Sequence, residues 1–461
     1  MIELIIKNAN VVTEDGVFFG DVAVDDGKIV SIGLLSGSMD AKEVIDAEGK
    51  YLLPGGVDPH VHVRYPSHPE RGTFETETRA AAAGGVTTII EHPISMPPQY
   101  SSEILLSRVK SAEEQSVVDV AFLGAAGGEK IMYIREVATA GIVGYKTFLH
   151  AAPEGRDKEF VGLTMKDNYE LYKGFNEVKE TGLPMSAHAE DNDLISGLIK
   201  EFRANGKTTG IDHAKSRPSI TEVLSVERLL RFSKETGVIL YLVHISTPEA
   251  VRVAKKAREA GQKIYIETCP HYLYLNEESL VKYGSYAKCN PPLRSKEEAD
   301  GMWEFVMDGS IDTIGSDHSP FTVEEKERNK EDIFVAPSGF PGIESRLPLM
   351  MTAVKEGKIS LSRAVDLLST NPSKIFGLYP KKGAIKIGAD ADFALVDLEK
   401  TFVLNHNHWL TKAKDIGMVY DGKQVCGKIM KTLVRGKLVY DAGEIKVESG
   451  YGKWVKPVKN V

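Results

Sequence analysis

The sequence predicts an α/β protein: a (β/α)8 barrel joined to a composite β-sandwich that both ends of the chain build. Three observations carry this reading. The chain has 461 residues, too many for one ordinary domain and suited to a barrel of about 250–350 residues with a smaller unit beside it. Its middle, residues 53–375, alternates strand-like and helix-like segments. Its head, residues 1–52, and its tail, residues 376–461, share a different, β-rich texture. An open doubly wound sheet competes for the middle until the polar residues are placed.

The head opens with IELIIKNANVV, turns at Glu14-Asp15-Gly16, and continues as FFGDVAVDDGKIVSIG. Asp-Gly pairs between β-rich runs are hairpin signals, because they tolerate the positive φ that tight turns need. The tail has the same character in ADFALVDLEKTFVL and KIMKTLVRGKLVYDAGEI. A β-rich head and a β-rich tail around a different middle suggest one sandwich built from both ends of the chain.

The middle holds eight candidate strands: PGGVDPHVHV, GVTTIIEH, VVDVAFLGAA, GIVGYKTFL, LPMSAHAE, GVILYLVHIS, KIYIETCPHY and IDTIGSDHS. Helix-like stretches separate them. TFETETRAAAAGG is one; TPEAVRVAKKAREAGQ is another, with Thr247 as N-cap, Pro248 at the first helical position and Gly261 as the C-cap. Eight strand–helix units predict a parallel sheet closed on itself.

Composition bounds the function. The 42% hydrophobic and 26% charged content is that of a globular chain, and the net charge of −8 argues against nucleic acid or an anionic membrane as the main partner. Cys269, Cys289 and Cys426 are odd in number and far apart, which points to neither a disulfide framework nor a Cys-based zinc site. The start of the chain reads as a strand rather than a signal peptide, and no apolar run approaches the ~18 residues that span a bilayer. A cytoplasmic location is the expectation.

Most of the eight strands end in a residue that can bind metal or carry a proton. His60 and His62 end the first, Lys146 lies in the fourth, His188 ends the fifth, His244 the sixth and Asp317 the eighth. A barrel gathers the C-terminal ends of its strands around one mouth, so residues spread over the sequence would converge there. His60 and His62, two apart on a strand, leave the same face, and neutral imidazoles are good zinc ligands. Each residue also has a bland reading: hydrogen-bonded imidazoles, a Lys146 that snorkels to the rim, an Asp317 that caps the next helix. The sharper reading of Lys146, in an apolar strand, is an uncharged amine that reacts with CO2 to give a carbamate bridge between two metals.

In these runs the chain resembles the amidohydrolase superfamily, in its cyclic amidohydrolase branch of hydantoinases, allantoinases, dihydropyrimidinases and dihydroorotases. PGGVDPHVHV, GGVTTIIEHP, GYKTF, SAHAED, LVHIST, ETCPHYLYL, AKCNPPLR, IGSDHSP and GIESRLPLM occur in family order over nearly the whole chain. The resemblance implies two divalent metal ions, zinc in most members, with cobalt, manganese or iron able to replace it. It implies that His60 and His62 bind the more buried ion, that N6-carboxylated Lys146 bridges both, that His188 and His244 bind the second, and that Asp317 completes the first site and serves as general base and acid. It also implies a homotetramer or homodimer and a small cyclic ureide as substrate, opened at a ring C–N bond to a ureido acid.

The choice of ring is mixed. Thr147-Phe148-Leu149-His150-Ala151 follows Lys146 without the Tyr that D-hydantoinases and dihydropyrimidinases place there; His150 is the candidate donor in its stead. ETCPHYLYL and AKCNPPLR look like allantoinases, and IEHPISMPP looks like L-selective hydantoinases. Arg64 and Asn290 are similar to the pair that holds the substrate carboxylate in dihydroorotases, although Tyr65-Pro66-Ser67-His68 departs from that pattern. The bland alternative for Arg64 is a solvent-facing pair with Glu70. By family analogy Ser338 and Gly339 add ring contacts. The reading is therefore an allantoinase or hydantoinase, with a dihydroorotase second. A non-catalytic scaffold of the same fold conflicts with the six filled ligand positions, and a single-metal deaminase conflicts with Lys146.

Overall fold

The protein is described by a computed structural model covering residues 2–35, 40–153 and 155–458. Among the described residues, seventeen strands form two sheets. The first sheet takes β1 (Ile2–Thr13), β2 (Gly16–Asp25), β3 (Lys28–Gly33), β4 (Ala41–Asp46) and β5 (Tyr51–Pro54) from the head of the chain. The second is built of β6 (Gly56–Val61), β7 (Val86–Glu91), β8 (Asp119–Ala125), β9 (Gly144–Phe148), β10 (Met185–His188), β11 (Leu240–Leu242), β12 (Ile264–Thr268) and β13 (Thr313–Ile314). The tail returns to the first sheet with β14 (Phe393–Val403), β15 (Gln424–Val434), β16 (Lys437–Asp441) and β17 (Glu444–Ile445).

The eight middle strands are all parallel, each paired with its sequence neighbour from β6 to β13. The ring closes where Val61 bridges His318 and the His62 N–H donates to the His318 carbonyl at 2.9 Å. Arg346, buried on the helix Ile343–Lys355, pins this seam: its guanidinium donates to the carbonyls of Ile314 on β13 and Val57 on β6. The strands are shorter than their apolar runs. β11 stops at Leu242 and β13 at Ile314, and just beyond them His244 and Asp317 hold positive φ of 41° and 46°. Residues in that left-handed region cannot continue an extended ladder.

Helices wrap the barrel as the apolar spacing suggests. Phe74–Ala83 is capped by Thr73, and Pro248–Glu259 by Thr247 with Pro248 in its first turn. The C-cap of the latter is Ala260, one residue before the predicted Gly261; Gly261 follows with φ +93°, the left-handed step that lets the chain leave the helix.

In the other sheet, β1 is shared. One edge pairs antiparallel with β2; the other pairs parallel first with β4 and then, past a bulge between Ile6 and Ala9, with β5. β5 pairs antiparallel with β14, so the tail completes what the head begins. Leu4, Val11, Val22 and Leu52 from the head share one core with Phe393, Leu395 and Leu433 from the tail. The hairpins turn at Glu14–Asp15 and at Asp26–Gly27, the latter with φ of 48° and 68°.

At the N-terminal ends of the barrel strands, Lys382 joins the two units. Its buried ammonium lies 2.5 Å from Asp119 at the start of β8, 2.9 Å from Asp390 and 2.7 Å from Asp392, and Arg435 bonds Asp119 as well. All three cysteines are free and buried. Among the described residues no helix is long and apolar enough to cross a membrane.

Candidate active site

The C-terminal ends of the barrel strands surround one cavity. His60, His62, Lys146, His188, His244 and Asp317 all line it, and so do Arg64, His150, Asn290, Ser338 and Gly339. A larger groove on the flank, bounded by Tyr100, Ile104 and Glu136, shares none of these residues. Chemistry therefore locates the site where size alone would not.

Two pairs of imidazoles face each other across the mouth. His60 donates from Nδ1 to Glu267 at 2.7 Å, which leaves its Nε2 3.3 Å from Asp317 Oδ1; His62 Nε2 lies 3.2 Å from the same oxygen. His188 uses Nε2 toward Glu190 at 2.9 Å, so its Nδ1 is turned to His244 Nε2 at 3.1 Å. Glu190 is in turn held by Arg217 at 2.7 Å. Such carboxylate partners fix the tautomer and aim the remaining lone pair. Burial, reinforced by neighbouring positive groups, pushes His60, His62 and His244 well below the usual histidine range, so these rings are neutral donors of lone pairs.

Lys146 lies on β9 with no solvent exposure and no hydrogen-bond partner for its Nζ. It does not snorkel to the rim. Burial lowers its pKa to about 8, against the pull of Asp317 and Glu267. Burial pushes the Asp317 carboxyl up to about 8, opposed by Lys146. Asp317 caps no helix: the next one, Val323–Lys326, is capped by Thr322. The unpartnered Lys146 Nζ, the paired inward-facing imidazoles and the desolvated carboxylate suit divalent cations, whose ligands are neutral His and anionic oxygen.

Behind the lining residues lie two that were not foreseen, His92 and Glu267. His92, just past β7, lies nearly parallel to the His60 ring at 3.7 Å, with Nε2 bonded to the Pro59 carbonyl at 3.0 Å. The buried nitrogens of His60, His62 and His92 come within 4.8 Å of one another, a cluster that fits a metal site. Parallel stacked rings cannot both aim an in-plane lone pair at one ion, so the geometry suits His92 to steadying His60 from its face. The strand-end pattern that marked His60 and His188 would have marked His92 too. Glu267 was legible in principle as an acid inside the apolar run of β12.

Arg64 is buried, not paired with Glu70. Its guanidinium donates to the Ile94 carbonyl at 3.2 Å and to Ser319 Oγ at 2.9 Å, and it lies over the Phe321 ring. Glu70 instead bonds His68. Asn290 presents an Oδ1 with no partner. His150 packs edge-on against the His188 ring and uses Nδ1 on the Ala151 carbonyl at 2.6 Å. Arg156, in the loop after β9, also reaches the cavity, where Glu159 holds it in a fork at 2.6 and 3.1 Å.

Comparison with known proteins agrees with this arrangement. Residues 51–439 match the model of the Amidohydrolase family. An L-hydantoinase of Paenarthrobacter aurescens is 35% identical over 457 residues, covering 99% of this chain and 98% of the relative. An allantoinase of Escherichia coli O1:K1 / APEC is 36% identical over 452 residues, covering 97% and 96%. The solved L-hydantoinase (dihydropyrimidinase) from Arthrobacter aurescens superposes with a TM-score of 0.94 at 35% identity, covering 99% of this chain and all of that one. With the match running through both the barrel and the shared sheet, the chain belongs to the amidohydrolase family, in the branch of hydrolases that cleave the C–N bond of cyclic amides.

Proposed function

We propose that the protein is a binuclear-metal hydrolase that opens a cyclic ureide, of the hydantoin or allantoin class, to a ureido acid. The observation that carries this reading is Lys146: a fully buried amine without a hydrogen-bond partner, in a cavity lined by five histidines and an aspartate. An ammonium there is costly. A carbamate formed from the neutral amine and CO2 would supply two anionic oxygens instead.

In this reading His60, His62 and Asp317 would hold one divalent ion and His188 and His244 another, and carboxylated Lys146 would supply anionic oxygens to them. Zinc suits the nitrogen-rich set. Bound ions of this kind polarise a carbonyl and lower the pKa of water. Asp317 accepts the proton of the attacking water and returns it to the leaving ring nitrogen, a task open to a carboxylate at the cavity mouth. Arg64, His150, Asn290, Ser338 and Gly339 surround the ring and set its orientation. Phe148, Phe160 and Ile94 line the same cavity and offer an apolar wall for a ring substituent.

The relatives are named for hydantoin and allantoin, and one solved relative also for dihydropyrimidine. One observation favours a second reading, an acidic ring such as dihydroorotate: Arg64 and Asn290 both face the cavity, and a guanidinium suits a carboxylate. A substrate panel on zinc-loaded protein decides between them. Allantoin, hydantoin, both enantiomers of a 5-substituted hydantoin, dihydrouracil and dihydroorotate are each assayed for ureido product. Turnover confined to hydantoins or allantoin supports the proposal; turnover of dihydroorotate alone replaces it with the second reading.

A further inference from the structure

We propose that Glu267 is a positioning residue that sets both halves of the mouth at once: it dictates which nitrogen of His60 faces the cavity and holds the backbone turn that presents His244. The inference rests on the metal reading for its consequence, though not for its geometry. Glu267 lies on β12 and is fully buried. Its Oε1 takes two donors, His60 Nδ1 at 2.7 Å and the His244 N–H at 2.9 Å. Its Oε2 takes the Tyr241 hydroxyl at 2.8 Å, and that hydroxyl is within 2.6 Å of Thr313.

One carboxylate thus touches the ends of three other strands. Through His60 it reaches β6, and through His244 and Tyr241 it reaches β11. At β13 it lies against Gly315, where an added Cβ would come within 2.6 Å of Oε2. Glycine at 315 leaves the room that the acid occupies. Two effects follow. With the His60 proton held on Nδ1, the lone pair belongs to Nε2, the nitrogen that faces Asp317 and His62. His244 has φ of 41°, a conformation β-type backbone avoids, and its N–H is satisfied only because Oε1 stands beneath it. A side chain that merely filled the barrel would need neither bond.

The test uses Glu267→Met. With no acceptor left beside His60 Nδ1, the ring proton moves to Nε2, where Asp317 Oδ1 at 3.3 Å accepts it, and the lone pair that faces the cavity is lost. Histidine-selective 15N spectra of the metal-free protein report that tautomer directly. Zinc affinity is read by competition with a chromophoric chelator. We expect the His60 signals of Glu267→Met to show the proton on Nε2, and zinc binding to weaken about 10–100-fold in a protein that still melts cooperatively. Wild-type tautomer with wild-type zinc affinity would overturn the proposal. If Glu267→Met does not fold, Glu267→Asp serves, its carboxylate one methylene short of His60. There a loss of at least about threefold in zinc affinity is expected, and an unchanged affinity overturns the proposal. Should the wild type itself bind no zinc, the metal reading fails, while the tautomer comparison still judges Glu267.

Discussion

Lys382 and Lys146 are both fully buried, and they are built in opposite ways. Lys382, at the N-terminal ends of the strands, has three aspartates around its ammonium. Despite burial, their charges raise its pKa above the usual lysine range. Lys146, at the C-terminal ends, has no partner at all, and burial lowers its pKa to about 8. The same side chain at the same depth is a satisfied cross-link in one place and an unsatisfied, reactive amine in the other. Stability is invested at the floor of the barrel and withheld at its mouth, the pattern expected where preorganised chemistry competes with packing.

The contrast can be broken most sharply at the mouth. Asp317→Asn and Lys146→Met should each lower turnover by at least about 10³-fold while leaving the fold intact. Steady-state assays on the ring that the panel identifies, beside circular dichroism, check this; turnover within tenfold of wild type in either variant removes that residue from the chemistry.

At the floor the balance reverses. Lys382→Met leaves Asp119, Asp390 and Asp392 buried without their cation, and should destabilise the fold by about 3–5 kcal/mol. Chemical denaturation measures that loss. The folded fraction should keep wild-type turnover per molecule, and a variant as stable as wild type would deny the floor cluster its structural role.

A smaller effect separates the two lysines by pH. In metal-free, CO2-free protein, Lys146→Met should stabilise by roughly 1–3 kcal/mol at pH 7, because it removes a buried ammonium. The wild type gains stability as pH rises from about 8 toward 10.5, since the unfolded lysine binds a proton that the folded one has lost. The advantage of the Met variant should therefore shrink across that window. Melting curves at pH 7, 8.5 and 10 test it, and an advantage that grows with pH would contradict the sign.

The smallest change is expected from Arg64→Met, which touches neither lysine. If Arg64 reads an acidic substituent, the ratio of activities on acidic and neutral rings should fall by about tenfold or more. An unchanged ratio makes Arg64 a wall residue tied to Ile94 and Ser319.

Much of the mouth was legible because each strand announces itself locally. A run of β-branched and apolar residues that ends in His or Asp is visible within ten positions, and the barrel brings such ends together whatever lies between. His60, His62, Lys146, His188, His244 and Asp317 were found this way, and all six line one cavity. His92, at the end of the run GVTTIIEH, obeys the same rule. Of the two readings of Arg64, the solvent-facing pair with Glu70 fails, and nothing near Arg64 in sequence reveals Ile94 and Ser319 as its partners.

By itself, then, the sequence determined the eight parallel strands, the shared β-unit of head and tail, and the set of chemically able residues at the strand ends. Those properties depend on patterns a few residues long. Only the tertiary structure decided which of two buried lysines is paired, which nitrogen of His60 is free, and that one glutamate serves both His60 and His244. These depend on contacts between groups as far apart as His60 and Glu267, 207 positions along the chain. No local pattern encodes such a contact, because its partner is chosen by the closing of the barrel and not by the residues beside it.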